Sequence, residues 1–302
     1  MSIQFRNYTG RRDYQLIDDF LIEHYQPDNR DGNWIEPAWE YMHHHGLLDV
    51  SSLTKIGIWE QDGRIVAVAH NELSLGEAFF QFHPSFRYLR EAMLDHSEKH
   101  LVGVSRRTGK NYLCAYVNEG DSDFMNLVQS RGYKKDEERT RPVYKFDIPD
   151  PFPTIQLPDG YHLKSLADDC NWAKVNRVLW RGFDHGGEPA SSEEELEDRR
   201  KMFDTPKARR DLKIVVEAPD GNFAAFCGMF YEPTHRFAYV EPVATDPEYR
   251  RLGLGRAAVL EGIRRCGALG ATIAFVGSDQ AFYQAIGFKK VYNHECWLKY
   301  FD

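Results

Sequence analysis

Short runs of alternating apolar and polar residues give way to longer amphipathic stretches along this chain, and the same order of runs occurs twice. Ile3-Gln-Phe-Arg6 reads as a short alternating strand followed by a polar turn and a helix, and Tyr161-His-Leu-Lys164 repeats it at an offset of 158 residues. Asp62-Gly63 is a hairpin turn feeding the apolar strand Arg64-Ile-Val-Ala-Val-Ala69. Asp220-Gly221 feeds Asn222-Phe-Ala-Ala-Phe-Cys227 in the same way, again 158 residues on,. His83-Pro-Ser-Phe-Arg87 then matches Asp246-Pro-Glu-Tyr-Arg250 at an offset of 163, and Gly132-Tyr-Lys-Lys135 matches Gly287-Phe-Lys-Lys290 at 155. Two equal offsets followed by two unequal ones mean one duplicated unit with length changes in its connections. Strands of period two interleaved with helices predict a mixed α/β unit, present in two copies.

Between the copies, Asp147–Gly160 carries Pro149, Pro151, Pro153 and Pro158, which forbid a helix and disfavour a central strand,. The expected division is therefore a first domain over 1–146, an extended linker over 147–160 and a second domain over 161–302. A length of 302 residues suits two domains of about 150 residues, each large enough for its own core,.

The most chemically pointed stretch is Asp246-Pro-Glu-Tyr-Arg-Arg-Leu-Gly-Leu-Gly-Arg256. It follows the strand-like run Phe237–Thr245 and opens an amphipathic segment at Ala257-Ala-Val-Leu260. A glycine-bearing turn from strand to helix is an anion site, because the first-turn N–H groups point outward and the helix dipole places partial positive charge there. Arg250, Arg251 and Arg256 add formal charge. A Walker A loop is excluded, since Arg256-Ala257 stands where it needs Lys-Ser or Lys-Thr; the dinucleotide fingerprint is met only weakly.

Arg250-x-x-Gly253-x-Gly255 after Asp246-Pro-Glu-Tyr, together with Phe282-Tyr283-x-x-x-Gly287-Phe288 and a strand at Thr272–Val276 between them, resembles the GCN5-related N-acetyltransferase (GNAT) family. The resemblance implies two tandem GNAT-like domains of the α/β class, each a central mixed, mostly antiparallel twisted sheet flanked by helices. It implies acetyl-CoA as cosubstrate, with Val243, Ala244 and Thr245 along the pantetheine beside a splayed gap that exposes the thioester. Arg250, Arg251, Leu252, Gly253, Leu254, Gly255 and Arg256 would cradle the pyrophosphate. Many members carry an Asn ahead of the Phe-Tyr pair; here Gly277-Ser-Asp-Gln280 stands instead, with Ser278 as the expected replacement. Tyr283 is the candidate acid for the departing thiolate, being a phenol protonated at neutral pH. Glu241 is the candidate base, directly or through a water, or else an outward-facing glutamate on an apolar strand; Tyr239 shares its face.

The two copies differ where chemistry would occur. Gly253 aligns with Arg90, Gly255 with Ala92 and Tyr283 with Val128. The first half is therefore expected to bind acetyl-CoA poorly or not at all, to have no catalysis of its own, and to support the second half and line its acceptor cleft.

Charge and cysteine content narrow the rest. With 38 Lys and Arg against 46 Asp and Glu the net charge is −8, which argues against nucleic-acid or membrane-surface partners and fits a cationic small-molecule amine or peptide substrate,. Five scattered cysteines without a C-x-x-C pair read as reduced thiols, and the start shows no apolar signal region, so a cytoplasmic location is expected,. A homodimer is compatible with all of this. His43-His44-His45 cannot all point one way on a helix and no metal is expected. The acceptor region spans Trp180 to Lys213, where Asp184, His185 and Glu188 could hold a cation and Ser192–Asp198 reads as a capped, solvated helix start. Three functions follow: an N-acetyltransferase; a non-catalytic acyl-CoA-binding or regulatory module; and a dinucleotide-dependent oxidoreductase, disfavoured by the missing βαβ repeat ahead of the loop.

Overall fold

A computed structural model describes residues 2–189 and 192–302; Met1, and Ala190 and Ser191 of the expected acceptor region, lie outside the described residues. The chain forms two compact units. The first comprises Met1–His43, Leu47–Val143 and Lys290–Asp302, the second His44–Gly46 and Tyr144–Lys289.

In the first unit the strands are β1 (Gln4–Asn7), β2 (Gly57–Gln61), β3 (Arg64–His70), β4 (Glu77–Phe82), β5 (Gly103–Val104), β6 (Asn111–Asn118) and the start of β7 (Lys134–Asp147), with helices α1 (Arg11–Glu23), α2 (Glu36–His43), α3 (Arg90–His100) and α4 (Ser122–Ser130). The second unit holds β8 (His162–Ser165), α5 (Trp172–Gly182), α6 (Glu193–Lys201), β9 (Lys213–Glu217), β10 (Phe223–Glu232), β11 (Phe237–Thr245), α7 (Leu254–Ala268), β12 (Ile273–Val276) and α8 (Ala281–Ile286); the last strand is β13 (Lys289–Phe301). The repeat read from the sequence is present in the order of elements, with β5 an addition of the first unit. Strands run β1-β2-β3-β4-β6 in one unit and β8-β9-β10-β11-β12 in the other. Each series is antiparallel except its final pair, β4 with β6 and β11 with β12, which is parallel. Mixed sheets flanked by helices are the architecture expected from the pattern.

Some helices are placed by an apolar stripe, some are started by a capping side chain, and α4 and α5 have both. Asn171 accepts from the Lys174 N–H at 3.0 Å to start α5, whose Val175, Val178 and Leu179 are buried,. Ser192 caps α6, which buries none of its residues, in keeping with the solvated helix start read from Ser192–Asp198. In the second unit α7 lies on the sheet through Ala258, Val259 and Ile263 against Ile214, Ala225 and Val240. In the first unit Phe124 and Val128 of α4 share a core with Met93 and Leu94 of α3, while Ile17, Leu21, Trp39 and Met42 of α1 and α2 form a separate one.

The boundaries differ from the expected ones in two ways. The linker is not a free tether, because Phe152, Ile155 and Leu157 pack against the second unit's core. The closing strands are also exchanged. Residues 290–302, expected in the second domain, belong to the first unit, where β13 pairs antiparallel with β6 from His294↔Asn118 to Phe301↔Asn111. The end of β7 instead pairs with β12, Tyr144↔Val276 through Asp147↔Ile273. Side chains hold β13 in place: Lys135 pairs with Glu295 at 2.8 Å, Lys299 with Glu98 at 3.0 Å, and Trp297 and Phe301 pack against the first unit's core. No helix among the described residues is long and apolar enough to cross a membrane.

Removing residues 290–302 is therefore expected to unfold the first unit rather than the second. The deletion takes an eight-residue ladder and the buried Cys296, a loss of more than about 3 kcal/mol on large-to-small core precedent. Limited proteolysis checks it: cleavage should appear first within 2–143.

Candidate acyl-transfer site

The site begins with a mismatch between β10 and β11. Cys227 opposes Val243 and Met229 opposes Val240, so the two residues Glu241 and Pro242 face the single Gly228. This is a β-bulge, and only glycine fits opposite it, since a Cβ at Gly228 would stand 2.3 Å from the Glu241 carbonyl oxygen,. Past the bulge the ladder phase is set by the bond from the Asp246 N–H to the Ala224 carbonyl at 3.0 Å. In an antiparallel pair alternate residues turn their main-chain groups away from the neighbour, so those of Val243 and Thr245 face away from β10. On that other side the parallel ladder with β12 ends at Tyr239↔Phe275, six residues before β11 ends. The strands splay there, as the resemblance implied.

A cleft of about 700 Å³ fills the splay. Val243, Ala244 and Thr245 form one wall; Arg250, Arg251, Gly253, Leu254, Gly255 and Arg256 line the turn into α7; Tyr283 lies across from them. Gly253 has φ +78° and caps α7 with no side-chain acceptor, which leaves the first-turn N–H groups to the cleft,. A Cβ at Gly255 would come 2.7 Å from Thr245 Oγ1 and fill the cradle.

Tyr283 is 7% exposed, its ring packed on Phe282 at 5.0 Å and on Phe288 at 5.6 Å. Burial raises its phenol well above the usual value, and the negative charge of Glu241 pushes the same way,. The hydroxyl keeps its proton at neutral pH.

Three expected site residues fall outside the cleft lining: Glu241, Leu252 and Ser278. Glu241 is half-buried on β11 and within electrostatic reach of Tyr283. Leu252 is 45% exposed. Ser278 accepts from the Gln280 N–H at 3.4 Å, and Gln280 itself lines the cleft. Tyr249, Phe282 and Gly182–Asp184 also line it and were not legible as such. The aromatic of the Phe-Tyr pair was the available signal for Phe282; nothing local marks Gly182, which faces Ala244 only through the fold.

Arg250 and its acidic neighbours behave differently from the sequence expectation. The Arg250 guanidinium is bonded to the Thr245 and Gly182 carbonyls and to Asp184. Glu188 pairs with Arg177 and Arg181. Those two arginines also hold the fully buried Asp246, each at 2.8 Å. The carboxylates read as cation holders are thus engaged by arginines, and His185 lies beside Trp180, 4.8 Å between ring centres.

A family model described as the acetyltransferase (GNAT) family matches residues 172–288, from the start of α5 through α8. This stretch belongs to the GNAT family. Solved structures extend the likeness to the fold of the whole chain. A GCN5-related N-acetyltransferase from Sphaerobacter thermophilus matches at TM-score 0.64 and 16% identity, over 99% of this chain and 95% of that one. A tandem GNAT protein from the clavulanic acid biosynthesis pathway matches at 0.65 and 15%, over 99% and 98%. Saccharomyces cerevisiae N-myristoyltransferase with bound myristoyl-CoA matches at 0.58 and 11%, over 98% and 78%. No curated protein matches the chain by sequence.

Against the GNAT domain, the first unit shows the same splay closed from within. Its parallel ladder ends at Phe79↔Tyr116 while β4 continues to Phe82. The His83 N–H bond to the Val66 carbonyl sets the phase, so Phe82 turns its main-chain groups into the gap,. There the Asn33 side chain meets both: its Oδ1 accepts from the Phe82 N–H at 3.0 Å and its Nδ2 donates to the Phe82 carbonyl at 3.1 Å. Arg90, aligned with Gly253, pairs with Asp121 at the start of α4 and lies over the rings of Phe82 and Phe124, 5.5 and 5.9 Å from their centres. The cavity left is about 20 Å³, room for about one water,.

Two measurements follow. Gly228→Ala is expected to lower stability by about 1–3 kcal/mol, since backbone must move; the urea midpoint reports it. The raised Tyr283 phenol binds its proton more tightly folded than unfolded, so its stabilising contribution is complete below the unfolded value near pH ~10 and is lost as pH rises above it,. Tyr283→Phe should accordingly lose less stability than the native chain between pH ~9 and ~11, read from urea midpoints.

Proposed function

We propose that the chain is an acetyl-CoA-dependent N-acetyltransferase that moves an acetyl group to a primary amine of a small molecule or peptide by direct attack on the thioester. The observation that carries this reading is the open edge of β11. Val243 presents a main-chain N–H and carbonyl to a cleft whose other end is the uncapped start of α7. An extended ligand with amide groups at one end and phosphates at the other satisfies both. The missing Cβ at Gly255 leaves space for the phosphates, and Arg251 and Arg256 stand exposed beside it.

The residues then divide the chemistry. Tyr283, neutral and at the cleft wall, holds a proton for the departing thiolate sulfur,. Glu241 takes the proton of the attacking ammonium, directly or through a water, which restores the nucleophilic amine lone pair. Glu241 lies in the bulge two residues before Val243, so base and electrophile would share one strand end. Gln280 takes the contact with the cofactor that the sequence suggested for Ser278. In the first unit Asn33 and Arg90 occupy the equivalent groove, which supports a single acetyl-CoA site per chain and a supporting role for that unit. The unpaired cysteines, four of them buried, fit a cytoplasmic protein,.

Thiol release from acetyl-CoA across a panel of amines is the direct test. Binding of acetyl-CoA with no release for any amine would favour a non-catalytic acyl-CoA module instead. Tyr283→Phe is expected to lower kcat by about a hundredfold with the Kd for CoA nearly unchanged; an unaltered kcat removes Tyr283 from the reaction. Calorimetry should find one acetyl-CoA site per chain, and Asn33→Ala should leave that stoichiometry at one because Arg90 still closes the gap.

A further inference from the structure

The carboxylates after α5 are fastened to the turn that precedes α7. Arg250 leaves the end of β11 and folds its guanidinium back: Nε donates to the Thr245 carbonyl at 3.2 Å, and Nη2 donates to the Gly182 carbonyl and to Asp184 Oδ1, each at 3.0 Å. Gly182 permits this closeness, since a Cβ there would stand 2.7 Å from the Ala244 Cβ. Arg181, from within α5, makes the reciprocal reach, with Nε on Asp246 and Nη2 on Glu248, both at 2.8 Å, while its Nη1 pairs with Glu188. Phe183, half exposed, lies between Gly182 and Asp184 and lines the cleft with them.

A planar guanidinium can satisfy two carbonyls and a carboxylate at fixed angles, which an ammonium cannot. Such a fork fixes the distance between the end of α5 and the end of β11, and that distance is the width of the cleft at its Ala244 wall. We infer that Arg250 is a positioning residue rather than an anion ligand, and that Asp184 acts through it on the acyl-CoA side of the cleft, not on the amine side. The inference rests on the acyl-CoA reading of the cleft and reverses the sequence assignment of both residues: the arginine of the phosphate turn serves the wall, and the acid of the acceptor region serves the cofactor.

The test uses the full chain as native protein, Asp184→Asn, Arg250→Gln, the double variant and Asp184→Glu. Hydrogen exchange of the amides of 183–189 is read first, without ligand. Protection is expected to fall in each single variant, to fall no further in the double, and to return in part in Asp184→Glu, as for two groups acting through one contact. The Kd of CoA, measured by calorimetry with no amine present, should rise about threefold in Asp184→Asn, the scale for a partly exposed ion pair,. Unchanged protection in Asp184→Asn overturns the inference. So does tighter CoA binding, which would make Arg250 an anion ligand held back by Asp184. If protection falls as expected while the native chain binds no CoA, the tie stands and the acyl-CoA reading is the part that fails.

Discussion

The cleft depends on a count of residues: two on β11 against one on β10. Because Glu241 and Pro242 share the space opposite Gly228, the last residues of β11 are rotated relative to those before the bulge. Val243 thereby turns its N–H and carbonyl away from β10, toward a side where the ladder with β12 has already ended. An unpaired main-chain edge inside a protein is costly unless something meets it. That one mismatch decides which main-chain groups of β11 reach the cleft, and a glycine without a Cβ is what permits it.

The first unit meets the same constraint with its own side chain. Asn33 carries an amide, the group that an unpaired strand edge needs, and pairs with both main-chain groups of Phe82. Arg90 and Asp121 then close the approach from α3 to α4. The contrast between about 20 and about 700 Å³ is therefore not a difference of fold. Asn33 and Arg90 supply protein atoms in the first unit where the second unit leaves room, Arg90 in the place aligned with Gly253.

Net charge is a poor guide to the charge of the cleft. The chain carries an excess of eight acids, yet the acids nearest the cleft are engaged. Asp246 is buried between Arg177 and Arg181, Glu188 pairs with the same two, and Asp184 meets Arg250. Arginines placed by the fold thus claim charges that composition alone would offer to a cationic substrate.

Much was legible from sequence because it is local. The alternating strand Phe237–Thr245 has the bounds read from the pattern, the helix after it starts at Leu254, three residues before the segment read from Ala257, and ten of the thirteen candidate site residues line one cleft. Gly253 announces itself because only a residue free to adopt φ near +78° ends that turn,. The duplication, too, was visible in spacing. What tertiary structure alone decided was partnership. β7 and β13 have the same lead-in, Gly-aromatic-Lys-Lys, and nothing along the chain states which lies beside β6 and which beside β12; pairing between residues 126 or more positions apart settles it. Likewise Arg250 carries the same side chain whether it faces a phosphate or Asp184. A sequence specifies which groups exist and their local geometry, whereas the neighbour that satisfies each one is set by long-range packing.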